Sequence, residues 1–165
     1  MKTISMTLDP QSIDKALTEL QAYQDDMDAK CKEICEKLAS MGAVNVSLGF
    51  SRAIYTGDND FSVDVQQKDN KFIVSVSGET VLFIEFGAGV MAMDQVHPQS
   101  AEFGMGIGTY PNQKHAFDEK GWYLPRSKTG GRAVHTFGNP PNMPVYNTAK
   151  DLRAEISRVV TEVFA

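Results

Sequence analysis

The residues from Val81 to Gly89 read VLFIEFGAG, an apolar run that carries one carboxylate, Glu85, and ends on Gly87 and Gly89. Two chemistries fit such a pattern. The stretch from Gly87 to Ala92 satisfies the spacing G-x-G-x-x-A, in which glycines let the backbone approach a pyrophosphate at a helix N-terminus. Its surroundings exclude that use. A helix opening there would meet His97 and Pro98 within about two turns, no strand-helix-strand unit follows, and no acid stands about 20 residues further on in a second strand. The other chemistry is that of a buried acid. A carboxylate set among Leu82, Phe83, Ile84 and Phe86 costs several kcal/mol to desolvate unless hydrogen bonds or a cation offset it. The expected role of Glu85 is therefore structural, accepting backbone amides or pairing with an arginine such as Arg126, Arg132 or Arg153. General acid or base catalysis would need a second titratable partner, and none stands beside it in the sequence.

The remaining reactive residues form no recognisable catalytic set. Ser12 and Lys15 in S-x-x-K spacing, together with Lys128, Thr129 and Gly130, match two elements of penicillin-recognising enzymes, but 165 residues are too few for that fold. His97, His115 and His135 lack the four-residue pairing of a zinc hydrolase helix and are expected in turns or at the surface. No G-x-S-x-G elbow is present. Cys31 and Cys35 lie inside a helical pattern, where free cysteines are expected to serve the core. No catalytic residue, cofactor or metal is expected, and the competing reading is a small hydrolase or ligand-binding domain that uses Glu85 and His97.

The chain has the size of one domain, and its 42% hydrophobic content suffices for one ordinary core. No apolar stretch approaches the roughly 20 residues of a membrane span, and the N-terminus carries no signal-like apolar region, so neither membrane anchoring nor secretion is expected. The net charge of −5, from 21 acids and 16 bases, argues against a binder that works by neutralising phosphates.

The elements that must position Glu85 follow from periodicity. Asp9 can cap a helix, Pro10 suits its first position, and Leu8 can staple to Ile13. Apolar residues recur at Ile13, Leu17, Leu20, Met27, Cys31, Ile34, Leu38 and Met41, a spacing near 3.5 that only Gln24 interrupts, and Gly42 is expected to stop the helix. Such a helix is on the order of 50 Å long, which is long for one small domain; either its whole stripe covers a sheet of the same chain or part of it faces another subunit. After Gly42 the period becomes two. Val44, Val46, Leu48 and Phe50 predict one strand, Phe61, Val63 and Val65 a second, and Phe72 to Val76 a third, returned by a turn at Lys68 to Lys71.

From Gly87 to Gly121 no period persists, and six glycines, three methionines, Pro98 and Pro111 predict a long flexible loop or arm. Met91, Met93, Phe103, Met105 and Tyr110 are its candidate contact residues. Strands are expected at Trp122 to Leu124 and Ala133 to Phe137, joined by a turn at Lys128 to Arg132. Prolines at 140, 141 and 144 break the chain before a final helix whose stripe is Val145, Ala149, Leu152, Ile156, Val159, Val160 and Val163. The fold class is α+β: a long N-terminal helix packed on an antiparallel sheet of about four to five strands, a long Gly/Met-rich loop and a C-terminal helix, all in one domain.

Taken together, Phe83 to Gly89, His97 with Pro98, Gly121 to Leu124, and the stretch TFGNPPNMPVYNTA from Thr136 to Ala149 running into the last helix resemble the tail-completion family of long-tailed bacteriophages, also described as minor tail components or head-to-tail joining proteins. That family shows a V/I-E-F/Y-G-T-G block in mid-chain and a G-x-P-x-x-P-F-M-x-x-A block before its last helix, in the same order. Here Ala88 stands where threonine is usual, and Met143, Pro144 and Val145 replace an Arg-Pro-Phe run. The resemblance covers most of residues 10 to 165.

What the resemblance implies is a non-enzymatic ring subunit, a hexamer at the neck of the virion, assembled in the bacterial host cytoplasm. Its partners would be the tail tube or terminator protein on one side and the head connector or adaptor protein on the other. A tail terminator or a head-closure subunit of the same virion is the nearest alternative. DNA would pass through the ring without specific binding, for which an acidic subunit is suitable. Glu85, Phe86, Gly87, Gly89, Met91, Met93, Phe103, Met105, Tyr110, Trp122 and Tyr123 are the structural and interaction candidates.

Overall fold

The structure, a computed structural model, describes residues 3–69, 71–109 and 113–165. Its first element is helix α1, Pro10–Ser51, whose Asp9 cap accepts the N–H of Ser12 and whose first position is Pro10. At 42 residues it is roughly 60 Å long. The expected stop at Gly42 and the strand from Val44 to Phe50 are corrected: α1 runs through both to Ser51. Residues in that stretch fit a helix as well as a strand, because Ala39, Gly42, Val46 and Phe50 recur at helical steps and are the buried ones, while Val44 is 58% and Leu48 45% exposed. Gly42 serves packing, not termination. A Cβ there would come within 3.1 Å of Leu152 and 3.6 Å of Val74.

Strands β1 (Ser62–Lys68) and β2 (Lys71–Ser77) form the expected antiparallel hairpin, with Val63 opposite Val76 and Val65 opposite Val74. It packs on the C-terminal half of α1. Helix α2, Val81–Phe86, follows, and Ile84 on it is completely buried with Val46 and Phe50 at the centre of the core. Phe50 and Phe61 close that core at 5.3 Å between ring centres. Strands β3 (Trp122–Tyr123) and β4 (His135–Thr136) form a second, much shorter antiparallel pair. Among the described residues the strands thus make two separate two-stranded sheets, the coarse α+β architecture being as expected. With Val44 to Phe50 helical, no strand among the described residues joins the two pairs.

Helix α3, Pro144–Phe164, runs antiparallel along α1. Gly49 of α1 faces Pro144, Gly42 faces Leu152, Lys37 Nζ bonds Glu162 Oε1 at 2.9 Å, and Lys30 Nζ lies 5.0 Å from the centre of the Phe164 ring. The part of α1 before Lys30 therefore extends past the end of α3. Cys31 and Cys35 are free thiols and exposed, which corrects the expectation that they serve the core: they sit at the level where α3 ends. No described helix is long and apolar enough to cross a membrane.

Candidate functional site

Glu85 is the centre of a buried polar site. The segment before α3 places Met143 in the left-handed region at φ 56°, with no side-chain cap, and Pro144 has no N–H, so the first free amides of the helix belong to Val145 and Tyr146. Glu85, reaching across from α2, takes both. Its Oε2 accepts the Val145 N–H and its Oε1 the Tyr146 N–H, each at 2.9 Å. A carboxylate at this position also faces the positive end of the helix dipole. Oε1 further accepts Nε2–H of His97 at 3.2 Å. Arg126, Arg132 and Arg153 are not its hydrogen-bond partners.

The proton on His97 is fixed by its other nitrogen. The Gln99 N–H donates to Nδ1 at 3.1 Å, so Nδ1 carries a lone pair and Nε2 the hydrogen given to Glu85. The ring lies 4.4 Å from Phe86 and meets Tyr146 edge-on at 5.2 Å, while Phe103 stands edge-on to Phe86 at 6.5 Å. Glu85 is 6% and His97 3% exposed, which corrects the expectation of a turn or surface histidine. His97 is buried because it fastens the segment after α2 to the carboxylate. Nothing in its local sequence signals this; the only hint is an apolar run with an acid that needs a donor.

The reverse support comes from the proline-rich segment. Asn139 donates from Nδ2 to the Phe83 carbonyl at 2.7 Å, and the Asn142 N–H donates to the Ile84 carbonyl at 2.9 Å, so carbonyls at the end of α2 find partners ahead of α3. Asn142 Oδ1 also accepts the Ile54 N–H at 2.7 Å. Ala88 and Asn139 exchange two backbone hydrogen bonds of 2.9 Å. Sequence reasoning missed both asparagines. Their signal was their place between prolines, where the free backbone is stiff and a side-chain amide can reach neighbouring carbonyls.

The two glycines after α2 permit this closeness. Gly87 has φ 82°, and a Cβ on it would come within 2.8 Å of Ala92 and of the Pro141 nitrogen. Gly89 has φ 65°, with Trp122 2.7 Å from where a Cβ would be. They allow a tight backbone crossing, which leaves no cradle for a phosphate.

The other candidates divide between two sides of this crossing. Met91 and Met93 are each 43% exposed and Phe103 is 53% exposed, whereas Met105 is half-buried. Tyr110 lies outside the described residues. Within the same segment Ala92, His97, Ser100 and Ala116 are buried, so part of the arm folds onto the body. On the far side, Gly89, Trp122 and Tyr123 line a cavity of about 360 Å³ together with Tyr55, Phe83 and His115. His115 stacks on Trp122 at 5.2 Å and 11°. Glu85 and His97 do not line that cavity. The chain matches no family model, no curated protein and no solved structure.

Proposed function

We propose that this chain is a non-enzymatic virion subunit of a tailed bacteriophage, forming a closed ring, hexameric by the family resemblance, that completes the tail at the neck and joins the tail tube to the head connector. One observation carries the reading. The two sequence blocks behind the resemblance, Phe83 to Gly89 and Thr136 to Ala149, are distant in sequence yet pack as one unit, Glu85 of the first capping α3 and Asn139 and Asn142 of the second capping α2. Such mutual dependence explains why they would occur together as one signature. The buried carboxylate supports the non-enzymatic part, since both its oxygens are engaged by backbone and ring N–H groups.

A ring needs two different surfaces that meet head to tail and close. The exposed end of α1 and the exposed Met91, Met93 and Phe103 are surfaces of that kind. A sheet of four to five strands would on this reading form between subunits, by pairing along the edges of the β1–β2 hairpin. A tail terminator or head-closure subunit of the same virion uses the same features at a different height in the neck. Deleting the gene and imaging the lysate tests the joining role: full heads and complete tails that stay apart are expected, and joined infectious particles would contradict it.

One observation favours a second reading, a ligand-binding domain: the aromatic-walled cavity beside Trp122. His115→Ala distinguishes the two. A ligand-binding domain would lose its ligand while particle assembly persisted.

A further inference from the structure

The apolar stripe of α1 keeps a single register from Ile13 to Met41. Ile13, Leu17, Leu20, Gln24, Met27 and Cys31 follow one another at alternating steps of four and three, and beyond Met41 the buried positions move to Gly42, Val46 and Phe50. A strict seven-residue repeat of this kind specifies a helical partner lying along the seam. For the C-terminal part of α1 that partner is α3, which ends beside Lys30. Before that point Ile13, Leu17 and Leu20 of the seam are 37%, 59% and 52% exposed, while Met27 is half-buried and Ala16 beside the seam is buried. This overhang is about 30 Å long.

We propose that the overhang, from Pro10 to about Cys31, pairs with the same segment of a second copy of the chain, parallel and in register, as a short coiled coil. The seven-residue spacing of the seam from Ile13 to Cys31 makes a helix the occupant it fits. The flanking Asp14, Asp25, Asp26 and Asp28 disfavour an anionic membrane surface. Gln24 identifies the second copy and its direction. In a parallel pair the two Gln24 amides share one layer and hydrogen-bond each other, whereas an antiparallel pair sets each against Ile13, Leu20 or Met27 and leaves a buried amide unpaired. Full antiparallel overlap would also place Asp14 against Asp28. Copies related by rotation about an axis along the overhang are parallel and in register. The pairing joins like surfaces about a two-fold axis, so it is a contact separate from the head-to-tail contacts of the ring proposed above and does not rest on them.

Full-length protein carrying Cys35→Ser, oxidised with copper phenanthroline and run on a non-reducing gel, tests the pairing. Cys31 shares the core position of Leu17 and Gln24, so it faces its own copy in the parallel pair. A disulfide-linked dimer is expected, lost in the Cys31→Ser protein, with association in sedimentation at least tenfold weaker when Leu17→Asp and Leu20→Asp are combined. Absence of the Cys31 cross-link, or association unchanged by the double substitution, overturns the proposal. In the second case an oligomer that persists leaves the ring reading standing. A Cys31 dimer from a protein that forms no ring in particles would instead sink the ring reading alone.

Discussion

Removing the charge of Glu85 tests the joint between α2 and α3, because its carboxylate takes two amides and a ring N–H in a place that is 6% exposed. Glu85→Gln keeps the shape but turns one acceptor into a donor facing an N–H. The expected loss is about 1–3 kcal/mol, read as a lower urea midpoint. Arg153→Ala removes none of these partners and should leave the midpoint near that of the unaltered protein. Asp9 offers a pH test at the same scale. The Thr7 hydroxyl, and then the Ser12 amide, hold its carboxyl below the ordinary aspartate value of 3.8. A folded pKa below the unfolded one means that the cap stabilises α1 fully above the unfolded value and is lost as pH falls through the lower folded value. Hydrogen exchange at the Ser12 amide should therefore show protection constant above about pH 5 and lost only in strong acid. Loss of protection near neutrality would contradict the cap.

Among the elements, α1 and α3 meet through glycines, and the two positions should respond differently to a methyl group. Alanine in place of a mid-helix glycine normally gains about 1 kcal/mol. At Gly49 the new Cβ would lie 2.7 Å from Cβ and 3.2 Å from Cα of Pro144, a rigid residue at the start of α3. Gly49→Ala is expected to lower the melting temperature in a thermal scan despite the better helix propensity. At Gly42 the nearest atom is the end of Leu152 at 3.1 Å, which can turn aside, so Gly42→Ala should cost less than Gly49→Ala. An increase in melting temperature for Gly49→Ala would mean that the helices do not approach as described. These glycines also show where sequence ran out. The start of α1 was legible in Asp9 and Pro10, though Leu8 is 94% exposed and not stapled to Ile13; the β1–β2 hairpin was legible in its alternation, and α3 in its place after the prolines, though Val145, Ala149, Ile156 and Val160 of its expected stripe are exposed and Thr148 and Val159 are buried. Gly42 was not, because a glycine that ends a helix and one that admits a neighbouring helix look alike until the neighbour is known. Val44 to Phe50 satisfies both periods, and only the tertiary partners of Val46 and Phe50 decide between them. For the candidate site, the need of Glu85 for donors was visible in its apolar surroundings. Their identity was not, since Val145, Tyr146 and His97 arrive from distant parts of the chain.

At the scale of the whole molecule, the described residues form a body in which the core around Phe50 and Ile84 holds α1, the hairpin and α2, and the Glu85 joint adds α3. What projects from it is a helical overhang with a partly exposed seam and an arm with exposed methionines and a phenylalanine. On the proposed reading these are surfaces for assembly, and the net charge of −5 would suit a passage that must not hold DNA phosphates. The measurement that bears most directly on this account is a cryo-electron microscopy map of the purified particle into which the chain is fitted. The account predicts a closed ring of this subunit between the tail tube and the head connector. Its absence from the particle, or a position away from the neck, would contradict it.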